Sequence, residues 1–584
     1  VTTLPDKPAL PVRAMTRLYA RLAGFGRTAT GFVSQPEPRT IGQFAKGRQL
    51  LAGNFLFAGY LVEAKDASIW DVPPPATSFE EALHGFVWLD DLAAVGTPAA
   101  RASMQDWTAQ WIERYGRGAG PGWTPDLTGR RLIRWINHAL LILSGKGSDG
   151  ADAFFRSLAR QTHFLGRRWS HTTAGLPRIE ALTGLVYAGL SLTGMEKYVT
   201  TATHSLGREC ERLIDAEGGL AARNPEELLE VFTLLNWAAL ALTEVGKTPA
   251  PAHLAAIERI APVLRTLRHA DGGLARFHGG GRGLEGRLDA ALAMSGIRAD
   301  KPREAAMGYA RLSCGRTTVI MDAAAPPLGT GSHGAHASTL GFELTSGRRP
   351  LVVNCGSGAA FGEDWRRAGR ATPSHSTLGL DGYSSSRLSE AKRMGGRKRE
   401  LLSDGPTEIL TERRATEFAV RQQASHDGYR QTHGLVHVRT LELTHDGRGL
   451  AGEELLLALN DTDKAQHARM VDATSLQGLP FSVRFHLHPD VDAVQDMGGA
   501  AISIALKSGE IWVFRHDGSS ELTLDPSVYL EGGRLKPRAA QQIVLSGVSL
   551  SETTRVRWSL AKAQETPLSI RDLRRDDPLE DDLD

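Results

Sequence analysis

Cysteine is scarce. The 584 residues hold three, Cys210, Cys314 and Cys355, far apart and without a CxxC pair. So scattered and odd a set excludes a disulfide framework and a thiolate zinc site, and reads as small buried apolar residues. Long apolar runs are missing too. Stretches such as Ala139 to Leu143 fall far short of the ~20 residues that a membrane span needs. The segment around Arg13 to Arg21 is basic but lacks the uninterrupted apolar core of a secretory leader. It reads as a short amphipathic helix, with a membrane-surface role as the lesser alternative. The expected compartment is the cytoplasm, or the periplasm if a leader has been removed. Net charge is only +2, so no global field draws nucleic acid, and anion binding has to come from local clusters.

What is present is ordinary globular material, 41% hydrophobic and 23% charged. A single core stops growing at roughly 250–300 residues, so the length calls for two large domains. From about 80 to 300, apolar residues recur every three and four positions, as in RRLIRWINHALLIL and PEELLEVFTLLNWAALALTEVG. Helices apolar on more than one face pack on two sides, as in a helical barrel. Near 308 the period changes to short β-rich runs broken by Gly, Asp and Asn turns, the mark of an antiparallel sandwich. The spacing predicts an N-terminal extension over 1–45, a helical domain over 46–302, a sandwich over 303–566 and a charged tail over 567–584. Inter-domain clefts are favoured ligand sites.

The segment His336 to Gly358, HASTLGFELTSGRRPLVVNCGSG, resembles the heparinase II/III signature, and WRRAGRATPSHSTLGLDG (Trp365 to Gly382) resembles the motif that follows it. DAEGGLAARNPEELLEV resembles the start of a helix in the same family. The likeness runs over roughly 45–565 and is nearest to an α-proteobacterial group. It implies a fold of an (α/α) toroid, an incomplete barrel, followed by an antiparallel β-sandwich. It also implies β-elimination of a uronate polysaccharide, which needs the uronate carboxylate neutralised, a base for the C5 proton and an acid for the leaving oxygen. The family draws these from an Asn or Glu and a Tyr on toroid helices and a His on the sandwich, and often holds a metal beside that histidine. Carried over by position, His336 is the catalytic histidine, and His336, Asn354 and His375 are the metal set, with zinc as the ion. Gly334 and Ser338 stand where the family has further ligands. Gly175-Leu176-Pro177-Arg178 stands where Asn-His is usual, and Glu226-Glu227 where Tyr is usual.

The residues themselves add candidates. His426 and Tyr429 in SHDGY form a workable acid/base pair, or else a turn with Tyr on the sheet. Arg134 and His138 share a helix face with Asn137 close by, and suit a carboxylate, or else a polar contact in the barrel wall. Arg178 falls at a helix start, where it would neutralise a carboxylate or pair on the surface. Asn224 reads first as the cap of the helix opened by Pro225. Arg370 belongs to a basic run from Arg366 to Arg399 that suits a long polyanion or a solvated loop. The tryptophans Trp88, Trp107, Trp111, Trp123, Trp135 and Trp169 serve mostly as core.

The expected function is a polysaccharide lyase acting on an acidic polysaccharide or oligosaccharide in the cleft between toroid and sandwich. The catalytic residues would be His336, Tyr429 and His426, with Arg134, Asn137, His138, Arg178, Asn224 and Arg370 on the substrate. Two alternatives stay open: a non-catalytic glycan-binding or polysaccharide-assembly protein on the same scaffold, and a glycoside hydrolase using Glu180 with Glu226 or Glu227. No nucleic acid and no integral membrane segment are expected, and a homodimer is left open.

Overall fold

A computed structural model describes residues 9–65, 67–298, 301–394, 397–532, 534–563 and 572. The helical part runs to the helix Arg287–Met294, and strands take over from Ala305. No described helix is long and apolar enough to cross a membrane. Pro125–Asn137, Leu176–Ser191 and Pro225–Glu244 each begin with proline at the first helical turn, where its missing N–H costs nothing. The first two pack closely because Gly129 faces Gly184: a Cβ on Gly184 would lie 2.5 Å from the Gly129 Cα. Their apolar sides merge into a core rich in aromatic rings. Trp88, Trp107, Trp111, Trp123 and Trp135 are all buried in it, as the sequence suggested, and Trp169 is half-buried.

The strands form two large antiparallel sheets. One starts with Ile409–Ala415 at its edge, passes through Ala419–Tyr429, Leu435–Thr444, Gly449–Leu457, Thr553–Lys562, Ile511–His516 and Ala501–Ala505, and ends at Asp492–Asp496. The other runs from Glu521–Tyr529 through Arg538–Ser549, Leu479–Leu487, Arg349–Val353, Phe342–Ser346, Thr317–Asp322 and Tyr309–Cys314 to Ala305–Ala306, with Leu378–Leu380 beside Leu479–Leu487. Phe342 of the second sheet stacks on Trp558 of the first, centroids 5.9 Å apart, so rings join the layers.

At strand Thr317–Asp322 the second sheet is covered on both faces. Strand Thr317–Asp322 is buried at every position, with Val319 and Met321 in the sandwich core and Ile320 in the helical core. A sheet packed on both sides reads as a continuous apolar run rather than an alternating one. Helices and sheets therefore share a seam, and polar side chains at that seam are held out of water.

Candidate functional site

Arg223, just before the helix Pro225–Glu244, adopts a left-handed backbone with φ 52°. Its guanidinium donates to the carbonyls of Met307, Gly308, Ala324 and Ala325 and pairs with Asp322 at 2.5 Å. Burial alone would raise the Asp322 carboxyl. Arg223, His278 and the Ser338 hydroxyl outweigh it and hold the group below the usual carboxylate range. The second Asp322 oxygen accepts from Ser338 Oγ at 2.7 Å and lies 3.4 Å from His278 Nε2. His278 Nδ1 accepts from the His336 backbone N–H at 3.1 Å. This places the His278 proton on Nε2, toward the carboxylate.

His336 is therefore at the seam, but it does not look across open solvent as expected. It is 3% exposed and sits in a polar cluster, its ring 5.2 Å from that of His375. Its Nδ1 lacks a hydrogen-bond partner. Burial first, then the charges of His375, His278, Arg370 and Arg366, lower its basicity well below the usual value, so the ring is neutral. His375 is lowered to about 3, chiefly by burial. The expected zinc site does not fit these residues. The Asn354 oxygen that would bind the ion accepts from the Ser376 N–H, and its amide points to Glu343. Among the described residues, no group of three or more His, Cys, Asp or Glu could hold a metal ion.

The other sequence candidates fall in five places. Tyr429 and His426 lie inside the sandwich. The Tyr429 hydroxyl donates to the Leu378 carbonyl, and burial pushes it above the ordinary phenol range. His426 accepts from the Gly428 N–H and contacts His437, which pairs with Glu454 beside Arg439. They are internal struts rather than a proton relay at a cleft. Arg134 and His138 both turn to the buried Asp90, at 3.3 and 2.8 Å, which is the wall-contact alternative. Asn137 is buried near them with both amide atoms unpartnered. Arg178 pairs with Glu209 and donates to the Thr172 carbonyl. Arg370 donates to the carbonyls of Ala335, Ser332 and Glu400, clamping the loop before His336. Asn224 is the cap that the sequence predicted, accepting from the N–H groups of Glu226 and Glu227. Of the basic run, the side chains of 392–398 lie outside the described residues.

One group gains importance. Glu180, Asp126 and Glu230 surround the charge of Arg130, and Glu227 lies within electrostatic reach of Glu180. Arg130 pairs with Glu180 at 2.5 Å, and Arg287 with Glu230 at 2.6 Å. The second Glu180 oxygen has no partner. Glu227 is half-buried, and its carboxyl is raised by burial and then by the charge of Glu180. Glu226 caps the chain at Gly281, accepting its N–H at 2.7 Å. A Cβ on neighbouring Gly279 would lie 3.1 Å from the Gly334 carbonyl of the sandwich loop. This acidic cluster thus lies close to the seam. A shallow cleft along the same seam is lined by His269, Arg276, Arg282, Glu343 and Tyr529.

Sequence reasoning missed His278, Asp322 and Asp90. His278 is flanked by Phe277 and three glycines, a signal that was there to find. The two aspartates carry no local mark, since their partners are 16 to 99 residues away.

The profile of the heparinase II/III-like C-terminal domain matches residues 297–559. FtsZ-localized protein C of Caulobacter vibrioides is 31% identical over 546 residues, 91% of this chain and 91% of that one. Heparinase III superposes with a TM-score of 0.67 at 14% identity, over 95% of this chain and 89% of that structure. Heparan sulfate lyase HepC from Pedobacter heparinus gives 0.55 at 13%, over 95% and 88%. The fold is that of a toroid-plus-sandwich polysaccharide lyase. This chain belongs to the heparinase II/III-like family, and at that level its build is lyase-like.

Proposed function

We propose that the protein recognises a glycan at the acidic cluster beside the toroid–sandwich seam, and that recognition rather than elimination is its activity on the lyase scaffold. One observation carries this reading. The groups that elimination would use are committed elsewhere: Tyr429 to the Leu378 carbonyl, Arg134 and His138 to Asp90, and Arg370 to three backbone carbonyls. In place of the family tyrosine stands Glu227, an acid among acids, which repels a uronate rather than neutralising it. The test is incubation with a panel of neutral, amino-bearing and uronate polysaccharides, following both retention on immobilised glycan and ultraviolet absorbance from unsaturated chain ends. Retention without new chain ends is expected. Any rise in absorbance overturns this reading.

A polysaccharide lyase acting on an acidic glycan by β-elimination is the second reading, and one feature favours it. His336 is held neutral with a free Nδ1, while Glu227 is raised, which is the split that a base and an acid need. The same absorbance assay decides between the two.

The name of the Caulobacter relative, FtsZ-localized protein C, supports a cellular setting. Identity across nine-tenths of both chains favours association of this protein with FtsZ as well. Pelleting with FtsZ polymers tests it: the protein should enter the pellet only when polymers form, and equal recovery without them would rule the association out.

A further inference from the structure

Strand Ile409–Ala415 ends the first sheet, and among the described residues it has a neighbouring strand on one side only. It pairs with Ala419–Tyr429 along its whole length without a bulge. Its seven residues hold no proline. Such an edge offers a row of open N–H and C=O groups, and folded proteins commonly blunt it with a bulge, a proline or charged side chains. Here the charges are of both signs, and their order matters.

The turn shows which backbone groups are open. Thr416 donates its N–H to the Ala419 carbonyl at 2.8 Å. Bonding alternates along an antiparallel strand, so Arg414, Glu412 and Leu410 also bond inward, and the N–H and C=O groups of Ala415, Arg413, Thr411 and Ile409 face outward. Side chains alternate as well. Leu410, Glu412 and Arg414 share the outer face, where Glu412 pairs with Arg414 at 2.5 Å and Leu410 is 73% exposed. Arg413 lies on the opposite face, pairs with Glu304 at 3.2 Å and donates to the Arg311 carbonyl of the second sheet.

A second copy of the same strand fits this edge. When two copies run antiparallel about a two-fold axis at Arg413, the open groups of Arg413 meet those of Arg413 in the other copy, and those of Thr411 meet Ala415. Glu412 of each copy then faces Arg414 of the other, in the non-hydrogen-bonded pairs where side chains come nearest. Leu410 comes opposite Thr416, beside the turn that carries Phe418, itself 74% exposed. The like charges at the axis are each neutralised by Glu304 of their own copy. A two-fold contact uses one patch twice and so needs a patch that complements itself. The order Glu412, Arg413, Arg414 meets that demand.

We infer that the protein forms a symmetric dimer through strand Ile409–Ala415, joining the first sheets of two copies into one continuous antiparallel sheet. A single strand pair falls below the ~1,200 Å² of a lasting interface, so association is reversible and set by concentration.

Sedimentation equilibrium of the full chain over a wide range of concentration tests it. The average mass should rise from one chain toward two. Glu412→Arg alone and Arg414→Glu alone each set like charges opposite one another and should weaken dimerisation at least tenfold. Glu412→Arg combined with Arg414→Glu restores opposite charges and should dimerise like the parent. Thr411→Pro removes an open-side N–H and no bond of the existing ladder, so it should leave a monomer. All three positions are exposed, and unchanged circular dichroism is expected throughout. A mass of one chain at every concentration would overturn the inference and leave the edge to a strand of another protein. Single variants that dimerise like the parent, a folded double variant that does not recover, or a dimer that survives Thr411→Pro would each overturn it too.

Discussion

Arg223 and Asp322 meet at 2.5 Å across the seam, one from the loop that opens an inner toroid helix and the other from the end of a strand shared by both cores. The arginine also holds four carbonyls of the sandwich side. Together they are the polar bolt between the two halves. Arg223→Ala leaves a buried carboxylate without its counter-charge, so a loss of roughly 3–5 kcal/mol is expected. Urea unfolding followed by tryptophan fluorescence measures it. An unchanged midpoint would show that the halves are held mainly by apolar contact.

The same reasoning separates wall from site on the inner helices. Asp90→Ala strands Arg134 and His138 in the core, and a similar loss of about 3–5 kcal/mol should follow. Glycan affinity should not change. If instead affinity falls with stability intact, Arg134 is a ligand residue after all.

Removing the cap oxygen of Asn224 is the mildest change. Asn224→Ala should cost about 1 kcal/mol, and Asn224→Asp very little, since a carboxylate also accepts from the first-turn N–H groups. Thermal unfolding of the two variants side by side checks the order.

Acid should destabilise the protein early. Burial, with Arg131 adding to it, lowers His84 to about 3. Burial also lowers His375 to about 3, and lowers His253 to about 4 against the Leu235 carbonyl. The unfolded chain takes up these protons near pH 6.5 and the folded chain does not. Stability is thus undiminished above that pH and falls as pH drops toward the folded values, by about 2 kcal/mol for each such histidine at pH 5. Unfolding free energy measured at pH 7 and pH 5 tests it, and His375→Gln should shrink the difference by one histidine's share. A flat profile would contradict neutral burial of these rings.

How much of this was legible in the chain depends on distance. Asn224 could be read as a cap because its partners are two and three residues on, and Pro225 fixes the frame. The motif around His336 announced the scaffold because its residues are contiguous. Arg134 and His138 were read as a face correctly, but what that face meets is Asp90, on another helix, and no local pattern names it. Tyr429 and His426 looked like a proton pair beside a turn. Only the second sheet, with the Leu378 carbonyl above the phenol, shows them to be inside. The run Thr317–Asp322 concealed its functional end for the same reason: a strand covered on both faces carries no alternation to mark the buried Asp322.

The most direct measurement is calorimetric titration of the glycan panel into the parent protein and Glu227→Gln. At least one glycan should bind, and the substitution should shift its affinity by about tenfold, equivalent to about 1.4 kcal/mol, with the thermal midpoint unchanged. Failure of every glycan to bind, or identical affinity in the two proteins, would contradict recognition at the acidic cluster beside the seam.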